Sequence, residues 1–198
     1  EKIIEFLSSQ QTGRISSIDE NGYPQIIPMN FVFINGVIYM HSHIRGEKLD
    51  NIRRNQKVGF EVDKSLEFLP SYFSDPTDAS LADTLYISVV IKGNGSIVSD
   101  REEKTTALNG LIKKYQPEGG YEPIKPEMDV LNEVEVIKIV PESLRGKYKI
   151  GQNMDMKSRI DLARQILERN SPTAKETLDI MGFEIIDGEP KLVDDKPW

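Results

Sequence analysis

The chain has 198 residues, no cysteine, and 32 Asp+Glu against 25 Lys+Arg, a formal net charge of −7. Without cysteine it builds no disulfide framework, thiolate zinc site, iron–sulfur cluster or Cys nucleophile, and its acidic balance argues against coating a polyanion. No apolar run reaches the roughly 20 residues of a membrane span, and no basic-then-apolar leader opens the sequence, so the expectation is a cytoplasmic protein with no nucleic-acid or membrane partner.

Residues 1–9 place Ile3, Ile4 and Leu7 at helical spacing. Residues 13–18 read as a strand, and 19–24 as a turn. Residues 25–34 (QIIPMNFVFI) form one apolar β run, closed by Asn35-Gly36, the strongest short hairpin signal. The return strand, 37–43, alternates: Ile38, Met40 and Ser42 on one face, Val37, Tyr39, His41 and His43 on the other. Residues 46–55 make a short helix with Leu49 and Ile52 inward, and 57–62 another strand. The stretch 65–80 reads as a long loop holding Phe68, Tyr72 and Phe73. It either caps a pocket or packs on the surface.

Residues 85–98 form a long strand with a bulge or barrel corner at Gly93 and Gly95. A helix capped by Asp100 runs to Tyr115, with Ala107, Leu108, Leu111 and Ile112 inward. A Pro- and Gly-bearing loop follows, then a strand over 130–140 and helices over 157–169 and 172–181. Residues 187–198 read as a loosely packed acidic tail. Consecutive hairpins and no βαβ alternation give an α+β fold, mainly β: an antiparallel six-stranded split β-barrel with outer helices and two C-terminal helices. The domain expectation is a barrel over 1–150 and a helical extension over 151–198.

Both histidines lie in His41-Ser42-His43-Ile44-Arg45-Gly46-Glu47-Lys48, where a strand runs into a helix. A helix N-terminus offers free amides and a positive dipole end, so Arg45 and Lys48 there call for an anion. This is a phosphate cradle or, equally, a solvated helix start. His41 and His43 share a strand face, but no spacing marks a third ligand, so no metal site is assigned. They make ligand contacts or ordinary hydrogen bonds. Pro28 inside a β run marks an edge, which either faces a planar heterocycle or blunts aggregation. No G-x-S-x-G elbow supports a hydrolase.

Four pieces, taken in order, resemble the pyridoxamine 5′-phosphate oxidase-like, FMN-binding split-barrel superfamily, nearest its nitroimidazole-resistance reductase branch. They are Gly13-Arg14-Ile15-Ser16-Ser17 with Gly22-Tyr23-Pro24 and Pro28-Met29-Asn30-Phe31; Asn35 through His43; Gly46-Glu47-Lys48-Leu49-Asp50-Asn51-Ile52 with Asn55 through Phe60; and Tyr86 through Gly93. The resemblance implies a homodimer with FMN at the subunit interface. It implies that Ser42, His43 and Lys48 line the phosphate and that Pro28, Met29, Asn30 and Phe31 lie along the isoalloxazine ring. His41 falls near the active centre, as the catalytic candidate. Asn55-Gln56 replaces a common Asn-Pro, Gly59 stands where cysteine is frequent, and the vitamin B6 substrate residues are not recognisable. The implied function is an oxidoreductase reducing a small organic acceptor with electrons from NAD(P)H. A non-catalytic flavin-binding protein and a haem-binding relative are the alternatives.

Overall fold

Seven strands form one sheet in a computed structural model that describes residues 2–194. They are β1 (Thr12–Ile18), β2 (Pro24–Asn30), β3 (Val32–Ile34), β4 (Val37–His43), β5 (Lys57–Leu69), β6 (Asp83–Ile97) and β7 (Val134–Lys149). Their order is β2-β1-β5-β6-β7-β4-β3. The two edge strands, β2 and β3, are separated in the chain only by Phe31. The sheet must therefore curl until its edges approach, which is the geometry of a split barrel.

The β run at 25–34, expected as one strand, divides at Phe31 for a physical reason. The Phe31 side chain is fully buried, edge-on to Phe60 at 5.1 Å between ring centroids. Its amide donates to the Tyr115 hydroxyl at 2.9 Å, and that hydroxyl lies 3.1 Å from the Phe31 carbonyl oxygen. The chain leaves the β1 ladder there and joins β4 instead.

The chain divides into two compact units. Unit 1 holds the residues up to Val62 together with Val89–Arg145, and unit 2 holds Asp63–Ser88 together with the residues from Gly146 on. The second unit thus takes a piece of chain well before residue 150, where the sequence suggested a boundary. In unit 1, Ile38, Met40 and Ser42 of β4 point into the core, and His41 and His43 are exposed, as the strand alternation requires. Helix α1 spans Lys2–Ser9, α2 Glu47–Arg54 and α3 Arg101–Tyr115. Asp100 caps α3 by accepting from the Glu103 amide at 2.7 Å. Ala107, Leu108 and Leu111 then pack with Val32 and Val136. β6 runs unbroken through Gly93. A Cβ there would meet the Val140 carbonyl oxygen at 2.4 Å, so this glycine serves close packing.

Unit 2 takes the end of β5 from Asp63, the start of β6 as far as Ser88 and the end of β7 from Gly146; β5 and β7 run on beyond the sequence-based limits of 62 and 140. The expected loop at 65–80 shrinks accordingly to 70–82, with two single 3-10 turns, and Phe68 lies on β5. Helices α4 (Met156–Arg169) and α5 (Ala174–Ile180) meet at Asn170, in a left-handed conformation at φ 49°. The expected loose tail is instead a hairpin, β8 (Phe183–Ile186) and β9 (Glu189–Leu192). Asp187-Gly188 turns it, at φ 55° and 81°, the pair of left-handed residues that a tight hairpin needs. Residues 195–198 of that tail lie outside the described residues. Glu67, 2% exposed, accepts from Arg169 at 3.0 Å, from Thr173 at 2.9 Å and from Ser171.

Candidate functional site

β4 delivers the histidines to its outer face, and the chain then turns through Gly46 into α2. Gly46 has φ 151° and ψ 149°, a conformation that L side chains rarely adopt, and no side chain caps the helix. The Leu49 amide donates to the Gly46 carbonyl at 2.9 Å, and the Glu47 and Lys48 amides have no partner among the described residues, so these two keep their donors for another partner. A Cβ on Gly46 would lie 3.7 Å from Lys48 Nζ, so the ammonium sits back over the helix start. Neither Lys48 nor the Arg45 guanidinium has a carboxylate partner among the described residues. The Arg45 amide donates to His43 Nδ1 at 3.2 Å, which ties the ring to the turn. Leu49 and Ile52 are buried and fix the helix against unit 1. Asn51 is buried too, bonded to Ser17 at 3.2 Å, Gln25 at 3.3 Å and Arg54 at 2.7 Å.

Ser42 does not share this corner. Its side chain is buried on the core face, and its hydroxyl donates to the His43 carbonyl at 3.0 Å. His41 opens instead onto an apolar groove of about 320 Å³, together with Asn30 and the α3 residues Leu108, Leu111, Ile112 and Tyr115. The His41 imidazole makes no hydrogen bond among the described residues. Pro28 and Asn30 are exposed on edge strand β2, with Met29 half-buried between them. Pro28 pairs with Arg14 of β1, and an edge position suits a residue that cannot donate to a ladder. Phe31 is apart from these, its side chain in the core.

Burial perturbs three groups of unit 1. Tyr39 donates to Glu103 at 2.8 Å, and desolvation together with that carboxylate pushes its phenol up to about 12. Burial also raises the Tyr115 phenol. Lys114 Nζ lies 3.8 Å from the Phe31 ring centroid and 3.2 Å from the Leu7 carbonyl oxygen, and burial holds it down to about 8. Tyr115 and Lys114 have no motif to announce them; only their partners give them a role. Gly46 was legible as a helix-start glycine, but its conformation was not.

No group of three or more His, Asp or Glu is placed to hold a metal ion among the described residues. No helix among them is long and apolar enough to cross a membrane.

The pyridoxamine 5′-phosphate oxidase family model matches residues 1–148. Among solved structures, a candidate 5-nitroimidazole antibiotic resistance protein from Bacteroides thetaiotaomicron is 21% identical, with 74% of this chain and 82% of that chain covered at a TM-score of 0.62. An FAD and haem binding protein from Mycobacterium smegmatis is 12% identical, covering 81% and 76% at a TM-score of 0.65. An FAD-binding protein from Mesorhizobium loti is 18% identical, covering 73% and 91% at a TM-score of 0.50. These likenesses establish the fold. No curated protein matches the sequence.

Proposed function

Because the chain belongs to the pyridoxamine 5′-phosphate oxidase family, we propose that unit 1 binds a flavin, FMN, and that the protein is an oxidoreductase passing electrons from NAD(P)H to a small organic acceptor. The observation that carries this reading is the start of α2, which has no side-chain cap and has an unpaired Lys48 over it. Amides and an ammonium converging on one point fit a phosphate. Bound there, the flavin supplies the electron-transfer chemistry, and the protein supplies binding and orientation.

In this reading Lys48 and the first α2 amides hold the phosphate, and His43 fixes the turn through the Arg45 amide. The outer edge of β2, from Pro28 to Asn30, offers backbone groups to the rim of the heterocycle. Phe31 acts from the core: its Tyr115 clamp sets where that edge ends. Ser42 acts through the His43 carbonyl rather than by touching the phosphate. His41, beside Asn30 in an apolar groove, is the group that can hold or move a proton at the acceptor. Ile26 on this edge is 62% exposed and Tyr23, just before it, 70%, apolar surface that a second copy would cover, with the flavin at the interface.

A haem reading has one observation of its own: His41 and His43 stand exposed on the same face of β4. The likeness to an FAD and haem binding protein adds to it. The visible spectrum of the purified protein, before and after heat release of the chromophore, separates the readings. The expected result is a two-band yellow spectrum, FMN in the released fraction, and bleaching by NADH or NADPH. Released FAD corrects the cofactor, and a flavin that neither nicotinamide reduces overturns the donor. A sharp Soret band transfers the site to haem. A colourless protein that takes up no added flavin overturns the proposal.

A further inference from the structure

We propose that unit 2 carries a ligand site of its own, for an amphipathic organic acid with an apolar body and one anionic group. A cleft of about 1150 Å³ is lined entirely by unit 2 residues. That is slightly above the roughly 300–1,000 Å³ typical of small-molecule sites, so the cleft takes a ligand with some water.

One wall is apolar: Leu69, Phe73, Leu81, Leu85, Met154 and Leu162. Leu85 and Leu162 are buried, whereas Leu81 and Met154 remain 44% and 43% exposed, so part of this apolar lining is left uncovered. Helix α4 contributes Ser158, Asp161, Leu162 and Gln165, whose spacing puts them on one helix face. The walls are tied in place. Gln165 donates to the Phe73 carbonyl at 2.8 Å. The turn beyond β7 is closed by Met154 N to Gly151 O at 3.0 Å and by Ile150 N to Gln152 Oε1 at 3.1 Å. A site held before its ligand arrives loses less entropy on binding.

The charges select the ligand. The lining carries the cations Lys147, Lys149 and Arg164 and the carboxylates Asp83 and Asp161. Lys149 is paired with Asp83, and Arg164 with Asp161 at 3.6 Å and Glu189 at 3.2 Å. Lys147 is left over. Its Nζ lies 5.4 Å from the Tyr86 ring centroid and is hydrogen-bonded to the Tyr86 side chain, with no carboxylate at ion-pair distance among the described residues. One cation without a carboxylate partner, in a cleft with part of its apolar lining exposed and a chain of net charge −7, fits one anionic head and one apolar body.

This inference does not rest on the flavin reading, and its test keeps the two apart. Decanoate is titrated calorimetrically into the full chain as purified, with 1-decanol as the uncharged control and bound chromophore measured in every variant. The expected result is saturable one-to-one binding of decanoate. Leu81→Trp, at a half-exposed position, fills the cleft and weakens both probes at least about tenfold. Lys147→Glu weakens decanoate by about tenfold and leaves decanol unchanged. Thermal melts confirm that both variants fold, and their chromophore content stays at the wild-type level. Absence of saturable decanoate binding overturns the proposal. So does wild-type affinity in Leu81→Trp, or an equal loss of both probes in Lys147→Glu.

Discussion

Glu67 in unit 2 and Lys48 in unit 1 both stand next to a helix start, yet only Glu67 has its charge answered from within the chain. Glu67 is buried and receives Arg169, Ser171 and Thr173, so its oxygens are saturated by residues that join α4 to α5. Lys48 lies over the uncapped start of α2 and has no carboxylate partner among the described residues. A saturated polar cluster holds a fold together. An unsaturated one at a fixed backbone position, open to water, costs the fold little and is free to bind something outside the chain. The difference teaches where to look for a ligand: not at the most connected polar group, but at donors positioned and left unused.

The comparison is sharpest at Glu67. Replacing it with alanine leaves Arg169 without its buried partner, and the unfolding free energy should fall by about 3 kcal/mol. That is the low end for a buried pair, because the Arg169 side chain is 34% exposed. Denaturant unfolding measures the loss, and chromophore per folded chain should not change. If Glu67→Ala is as stable as the wild type, or loses chromophore while folded, the division of roles breaks down. Lys48→Ala is the mirror experiment. Stability without ligand should stay within about 0.5 kcal/mol, as for most surface substitutions. Flavin affinity should fall roughly tenfold to a hundredfold, the effect of one charge-assisted phosphate contact at about 1.5–3 kcal/mol. Unchanged affinity in a flavin titration of the apoprotein would remove Lys48 from the phosphate.

Much of unit 1 could be read in the sequence because its signals are local. The period-two alternation from Val37 to His43 gave the inward and outward faces of β4, and Asn35-Gly36 gave the turn before it. Asp100 marked the start of α3 by its own hydrogen bond. What escaped was set by distant partners. The break at Phe31 depends on Phe60 and on Tyr115, 84 residues away in the chain, and no local pattern carries that. The extension of β5 and the last residues of β7 belong to unit 2, whose pieces come from both sides of the unit 1 residues 89–145. Asp187-Gly188 was a legible hairpin signal masked by the acidic composition around it. At the candidate site, alternation brought His41 and His43 to one face and turned Ser42 away from them. The burial of Asn51 and the clamp from Tyr115 appear only once the chain is folded.

Lys114 is the intermediate case, a cation whose partners are a ring face and a carbonyl rather than a carboxylate. Its effect is the smallest and is read through pH. Burial lowers its folded-state value from 10.5 to about 8. Between those values the unfolded chain holds a proton that the folded chain has released, so stability rises with pH across that window. Tyr39 acts in the opposite sense. Burial and Glu103 raise its phenol from 10.0 to about 12, so above pH 10 the folded chain keeps a proton that the unfolded chain loses. Burial moves Tyr115 in the same direction. Urea unfolding of the wild type should therefore show stability climbing from about pH 8 to 10 and declining beyond. Lys114→Met should lose the climb and keep the decline. A wild-type profile that is flat from pH 8 to 10 would mean that the ammonium stays solvated, and that Lys114, like Lys48, is a cation the fold leaves free.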